Sequence, residues 1–470
     1  MPKESWIYTF EAYAGGLVAR HNIPGLSVGL ARHGATVYAQ GFGFRNVAEG
    51  LPCTPTTVHG IGSITKSMTC VAILQLQERG KLKVTDPVLK YLPEFRTPDP
   101  EHTKKITIHH FMTHSAGLPP LPTLFPAMGR SFRNDPNKKS FPLTVDVAQF
   151  ADINTYEELM AHIARTELKI LGEPGARFSY SNDGFGLLGC IIERVSGMSY
   201  AHFIEENLLK PAGMADSTFD LDKLLSHPET TMLYGANPEK QGAVEAQPGW
   251  WQAPAHLAAG FLRSTVPDML RYMEIYRTGG MVGSERILSR ESVAAMTRPQ
   301  IQAMPGAWYG YGLLVYPEYH GVSIIEHSGG IKGVSAQIAC VPEKGITGVA
   351  LTNVAGAPSP TILHGAINAM LGLPLDTRRV VYPDAACDAQ QLADYVGEYK
   401  SLEGSSVTVA VEEGQLAVTM QGSKLNSRCI GEDAFAVQMP AEEAPLVFLR
   451  DASSKVDAVA AGSRIVSKVS

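Results

Sequence analysis

The chain has 470 residues, more than one hydrophobic core usually supports, so two or three domains are expected. A hydrophobic content of 44% with 18% charged residues excludes a disordered chain, and a formal net charge of −6 without a basic run gives no electrostatic grip on nucleic acid or anionic membrane. The start, Met1 to Trp6, lacks a continuous apolar leader, no stretch has the length of a membrane span, and the six cysteines are scattered without a CxxC, which together predict a cytoplasmic protein with reduced, mostly buried thiols.

The first elements are two neighbouring antiparallel strands, Leu26 to Ala31 and Thr36 to Gly41, around a turn at Arg32-His33-Gly34. A glycine-flanked turn, His59-Gly60-Ile61-Gly62, then runs into a helix from Met68 to Leu76 with Gly80 as its C-cap. Ser63 falls in the first turn, where backbone N–H groups lack intrahelical partners and can face a developing anion. Lys66 follows three residues on, so its amine shares a helix face with the Ser63 hydroxyl, an unactivated nucleophile beside a candidate base. A short second helix spans Val88 to Leu92, ended by Pro93.

Between Ile106 and Leu118, His110 and His114 have the spacing of a zinc pair on one helix face. The intervening Phe111-Met112-Thr113 supplies no glutamate base, so a structural role is expected and no metal or cofactor is assigned. Residues 119 to 165 form a proline-rich and polar excursion that reads either as a loop shaping a cleft or as a solvated insertion, with helical character returning at Thr155 to Arg165. Tyr180-Ser181-Asn182-Asp183 precedes a helix whose buried stripe is Leu187, Leu188, Ile191, Ile192 and Val195, with Asn182 or Asp183 as its N-cap. A further capped helix follows Gly260 and runs to about Tyr276.

Strand periodicity returns at Ser323 to His327, Val334 to Val341 and Gly348 to Val354. Ser328 to Gly333 is read as the first connection and Glu343-Lys344-Gly345 as the second. A sheet assembled from both ends of this region, with helices between, is an α+β layout. The catalytic domain is placed at 1–375, with a helical subdomain and cleft insertion at about 110–260. A linker follows at 376–390 and a small antiparallel β domain at 391–470, opened by a hairpin of Ser406 to Val411 with Gln415 to Met420.

Three triplets bind these elements together. Ser63-to-Lys66 is the chain's only Ser-x-x-Lys, Tyr180-Ser181-Asn182 its only Tyr-x-Asn, and His327-Ser328-Gly329 its only His-x-Gly. In this order they resemble the serine β-lactamase and penicillin-binding-protein superfamily. With Leu76 to Leu82 and Ile106 to Pro119, the resemblance covers roughly residues 10 to 370 and points to the class C β-lactamase-like hydrolases: D-peptidases, D-aminopeptidases, esterases and β-lactamases. Leu392 to Tyr399 resembles the opening of the lipocalin-like barrel appended to such peptidases.

The resemblance implies an antiparallel sheet flanked by helices, followed by a small antiparallel β-barrel. It also implies Ser63 as nucleophile, with Lys66 or Tyr180 as the acceptor of its proton. Asn182, His327, Ser328 and Gly329 would support the substrate, and the backbone N–H groups of Ser63 and Gly330 would form an oxyanion hole. The third motif begins with His327 where class C β-lactamases carry lysine, and imidazole is a weaker carboxylate partner than a permanent cation. That favours small peptides or amides, with D-residues among them, over β-lactams. A carboxylesterase or β-lactamase using the same Ser-Lys-Tyr site, and an acylated sensor that never turns over, are the alternatives. The expected partner is a small-molecule or short-peptide substrate, and a homo-oligomer is compatible with this reading. The C-terminal domain is expected either to place a loop at the cleft mouth or only to stabilise and associate the chain.

Overall fold

A computed structural model describes residues 5–138, 151–237, 239–240, 242–388, 391–439 and 443–469. Within the proline-rich excursion, 139–150 therefore lies outside the described residues, as do 389–390 of the expected linker. Nine antiparallel strands form the main sheet. From one edge they run Ile301–Met304, Ala307–Tyr309, Leu314–Tyr319, Val322–Ile331, Val334–Val341 and Ile346–Thr352. The sheet then crosses to the N-terminal strands Gly25–Arg32, Ala35–Asn46 and Leu51–Pro52. The two ends of the sequence meet where Val28 pairs with Ala350.

Alternation along these strands divides the core between two faces. Leu26, Val28, Leu30, Ile346 and Ala350 pack with Phe10 of the helix Ser5–Arg20 and with Ile362 and Leu363 of the helix Ser359–Leu371. Val349 and Leu351 face the other way, into the cluster built by the helices Thr65–Glu78, Asn182–Ser196 and Val266–Thr278. The Thr65–Glu78 helix is buried almost all round, from Thr65 to Leu76. Its apolar run therefore lacks an amphipathic stripe and fixes the helix rigidly in the core.

The structure differs from the sequence expectations in several places. The strand expected to end at His327 continues to Ile331, and only Lys332-Gly333 turns the chain, with Ile331 paired to Val334. Ser328, Gly329 and Gly330 read as a connection because glycine is scarce in strands, whereas here they occupy ladder positions. Ser63 sits in a tighter 3-10 turn, Gly62–Ile64, that leads into the α-helix at Thr65. Ser181, rather than Asn182 or Asp183, caps the later helix, its hydroxyl accepting from Gly184 N. The helix carrying His110 ends at Met112, and His114 beyond it has φ +56°, so the two imidazoles share no helix face.

A second nine-stranded sheet occupies residues 397–468. Its terminal strands in the hydrogen-bonded order, Ser423–Leu425 and Ser427–Gly431, are successive in the chain, and Ser427 Oγ donates to Leu416 O, leaving a nearly closed barrel around Tyr399, Val418, Leu446, Phe448 and Val459. Its first hairpin closes one residue later than expected, Glu412 pairing with Gln415 around Glu413-Gly414. The barrel docks on the helical side of the first unit. Leu171 packs against Ala458 and Ile465, and Lys169 pairs with Asp457 at 2.9 Å.

Candidate active site

Two glycines let the chain bring three distant segments together. A Cβ at Gly62, which has φ +51°, would lie 2.7 Å from Gly330 N. One at Gly329 would lie 1.9 Å from Ile61 O. The strand Val322–Ile331 thus runs directly against the Gly62–Ile64 turn, at a separation no side chain allows, and Gly330 N lies beside the turn that carries Ser63. Ser63 itself is part-exposed at the floor of a cleft of about 310 Å³, lined also by Tyr180, Asn182, His327, Ser328 and Gly330. A larger hollow of about 420 Å³ between the helices Ser5–Arg20 and Ser359–Leu371 and residues 375–379 is lined by neither serine nor cysteine.

Lys66 is fully buried, and its Nζ lies 3.1 Å from Ser63 Oγ, 2.8 Å from Asn182 Oδ1 and 2.6 Å from Ala259 O. Burial, and then the Arg464 guanidinium, hold the Lys66 amine well below its usual range. A neutral amine has two N–H bonds and one lone pair. The Asn182 and Ala259 oxygens accept two of the N–H bonds of Lys66, so a neutral amine here would hold its lone pair toward the Ser63 hydroxyl.

Tyr180 lies with its ring 4.8 Å from Lys66 Nζ, and its phenol lines the cleft together with Ser63. Burial pushes that phenol above its usual range, against the opposing effect of the Ser63 contact, so it stays protonated at neutral pH. The His114 ring packs against Tyr180, tilted by 32° at 4.1 Å between centroids, and His114 Nδ1 accepts from Ser181 N at 3.0 Å, fixing the turn between Tyr180 and Asn182. Asp183 is buried too. It accepts from Thr123 Oγ1 and from Ser181 Oγ, so the excursion that begins at Pro119 is tied to the second motif.

His327 is committed at both ring nitrogens. Its Nδ1 donates to Ser328 O at 2.6 Å, which leaves Nε2 to accept from Tyr309 OH at 3.0 Å. Burial lowers the imidazole to about 4, so it is neutral at physiological pH. Ser328 and Gly330 remain exposed on the same strand and face the cleft.

All the residues singled out by the three motifs are therefore gathered in one place. Sequence reasoning missed Tyr309, Ala259 and His114 as supports of that site, and it missed Arg464 and Glu403 altogether. The alternation Tyr309-Gly310-Tyr311-Gly312 was a legible signal of close packing near the cleft. Arg464 gave none, since it opens a barrel strand and reaches the cleft only through tertiary docking. Its Cζ lies 5.1 Å from the Tyr180 ring centroid, and the preceding Ser463 O accepts from Tyr180 N at 2.9 Å. His110 is engaged separately, its Nδ1 accepting from Thr107 N. Among the described residues no group of three His, Cys, Asp or Glu side chains is placed to hold a metal ion, and no helix is long and apolar enough to cross a membrane.

Comparison with known proteins places this arrangement. The family model described as Beta-lactamase matches residues 10–369. Penicillin-binding protein 4* of Bacillus subtilis (strain 168) is 25% identical over 414 residues, which cover 86% of this chain and 85% of that protein. Among solved structures, the octameric penicillin-binding protein homologue from Pyrococcus abyssi superposes with a TM-score of 0.70 at 30% identity, over 98% of this chain and all of the other. A D-stereospecific amidohydrolase from Streptomyces sp. shares the fold with a TM-score of 0.60 at 24% identity, over 78% of this chain and 98% of its own.

Proposed function

The chain belongs to the Beta-lactamase family, and from that premise we propose that it is a serine hydrolase acting through an acyl-enzyme on small peptides or amides, D-residues included. The observation that carries the reading is the Lys66 amine, buried and satisfied by two fixed oxygens, with its remaining position on Ser63 Oγ. Lys66 takes the Ser63 proton as Oγ attacks the substrate carbonyl. The N–H groups of Ser63 and Gly330 receive the oxyanion, each worth about 2.7–4 kcal/mol in such sites. Tyr180, a phenol in contact with Ser63, passes a proton to the leaving group as the tetrahedral intermediate collapses. Water then attacks the acyl-enzyme with the same groups in reversed roles.

A carboxylesterase reading uses the same residues and draws support from the apolar side of the cleft, Leu124, Phe178, Met304 and Leu314, which suits an acyl chain. At the third motif itself, the neutral, doubly bonded His327 offers no cation to a β-lactam carboxylate. The domain reading remains a catalytic unit at 1–375, a linker at 376–390 and an appended barrel at 391–470. Assembly into a homo-oligomer, as the Pyrococcus homologue's octamer suggests, is checked by light scattering.

The test is labelling with a fluorophosphonate, followed by turnover of p-nitrophenyl esters and of D- and L-amino-acid amides. Wild type should be labelled at Ser63 and turn over many equivalents. Ser63→Ala should lose labelling and about 10⁶-fold in kcat, as other serine nucleophiles do. Normal turnover by that variant overturns the assignment, and a single equivalent without turnover reduces the protein to an acylated sensor.

A further inference from the structure

The cleft lacks the cation that the third motif would carry, and a different part of the chain supplies one. His327 has both nitrogens engaged within the protein, while Lys66 is buried and turned toward Ser63, Asn182 and Ala259. Among the described residues lining the cleft, the remaining cationic side chain is Arg464, the first residue of the barrel strand Arg464–Lys468.

The barrel holds this side chain with some care. Arg464 Nε donates to Glu403 Oε2 at 2.6 Å and Nη1 to Ser463 Oγ at 3.2 Å, while Nη2 has no hydrogen-bond partner among the described residues. Glu403 does not line the cleft, so with Ser463 it fixes Nε and Nη1 and leaves Nη2 for a ligand in the pocket. The position is anchored on the catalytic side as well. Ser463 O accepts from Tyr180 N, and Ile465 N donates to Ser179 Oγ, so Arg464 is bracketed by two hydrogen bonds to the second-motif segment. Its side chain keeps 29% exposure at the cleft, enough to meet a ligand without losing its charge.

We infer that Arg464 is the substrate's carboxylate-recognising residue: the barrel donates a guanidinium to the cleft, and the protein selects peptides or amides that carry a free carboxylate near the scissile bond. This deepens the hydrolase reading and rests on Ser63 as the nucleophile. It also gives the appended barrel a direct part in specificity, beyond bounding the cleft.

Two measurements on the full-length chain test it. The first is calorimetric binding of N-acetyl-phenylalanyl-phenylalanine, in its D and L forms, and of the matching C-terminal amides, to the Ser63→Ala protein. The acid should bind at least one diastereomer about 10- to 100-fold more tightly than its amide, the range expected for a charge-assisted hydrogen bond. Arg464→Gln in the same background should abolish that preference, bringing the acid's affinity down to that of the amide. The second is kcat/KM for the same acids and amides in wild type, Arg464→Gln and Glu403→Gln, with fluorophosphonate labelling as a check on the nucleophile. Glu403→Gln should weaken the acid preference less than Arg464→Gln, because the guanidinium stays in place. Equal loss for acid and amide in Arg464→Gln, or no acid preference in wild type, overturns the inference while Ser63 labelling persists. Loss of labelling in wild type would instead overturn the hydrolase reading itself.

Discussion

Substitution of Gly329 by alanine probes the geometry on which the cleft depends. An added Cβ would lie 1.9 Å from Ile61 O and 2.8 Å from Ile61 C, where real contacts stay above 3.0 Å, so the strand and the nucleophile turn must part. The required retreat is about 1 Å, and a misplacement of that size at reacting groups costs about 10²-fold in rate. That equals about 2.7 kcal/mol of barrier, the same scale as losing one oxyanion donor. Local overpacking costs the fold about 1–3 kcal/mol, so the variant should still be folded. Gly330→Ala is the control, since the nearest atom to its added Cβ is Val334 O at 3.9 Å and its N–H is retained. The assay is kcat/KM on a p-nitrophenyl ester, with urea unfolding to confirm the folded state. Gly329→Ala should lose about 10²-fold and Gly330→Ala far less. Unchanged activity in Gly329→Ala, or an equal loss in both, would refute the proposed placement of Gly330 N beside Ser63.

The Glu326 carboxylate is buried, pulled down to about 2 by Arg379 and His364 against the opposing effect of burial, and Arg379 Nη1 bonds it at 2.7 Å. Arg379→Ala leaves that charge with one partner, and the urea midpoint should fall by the equivalent of about 3 kcal/mol; an unchanged midpoint would contradict this. Burial also lowers His110 and His327 to about 4, so below about pH 6.5 the unfolded chain takes up protons that the folded chain refuses. Their contribution is fully present above about pH 6.5 and is lost as pH falls to about 4. Melting temperatures should therefore decline across that window and decline less in His327→Gln, whereas identical slopes would count against a neutral His327.

The fold class was legible because the strands near both ends and the helices between them keep clear periodicity, as Leu26 to Ala31 and Val334 to Val341 show. The three motifs were legible because each is a spacing that occurs once in the chain, in a fixed order. Two kinds of feature were not. Gly329 and Gly330 looked like a loop because local propensity disfavours glycine in strands, and only the close approach of the Gly62 turn explains their place in the ladder. Asn182 looked like a cap because asparagine favours that position, yet its oxygen is used by Lys66 and the cap falls to Ser181. Arg464 lies 284 residues beyond Tyr180, so no local pattern could bring it to the cleft. Such contacts arise from docking of preformed units, which sequence periodicity does not encode.

Rapid-quench mass spectrometry during turnover of a p-nitrophenyl ester tests the central claim most directly, because it asks which atom holds the acyl group and which amine put it there. Wild type should accumulate one acyl group on Ser63. Lys66→Met should keep the Ser63 hydroxyl and the fold but form the adduct about 10²- to 10⁴-fold more slowly, the contribution expected of a positioned base. An adduct on any other residue, or acylation of Ser63 at the wild-type rate in Lys66→Met, would contradict the account.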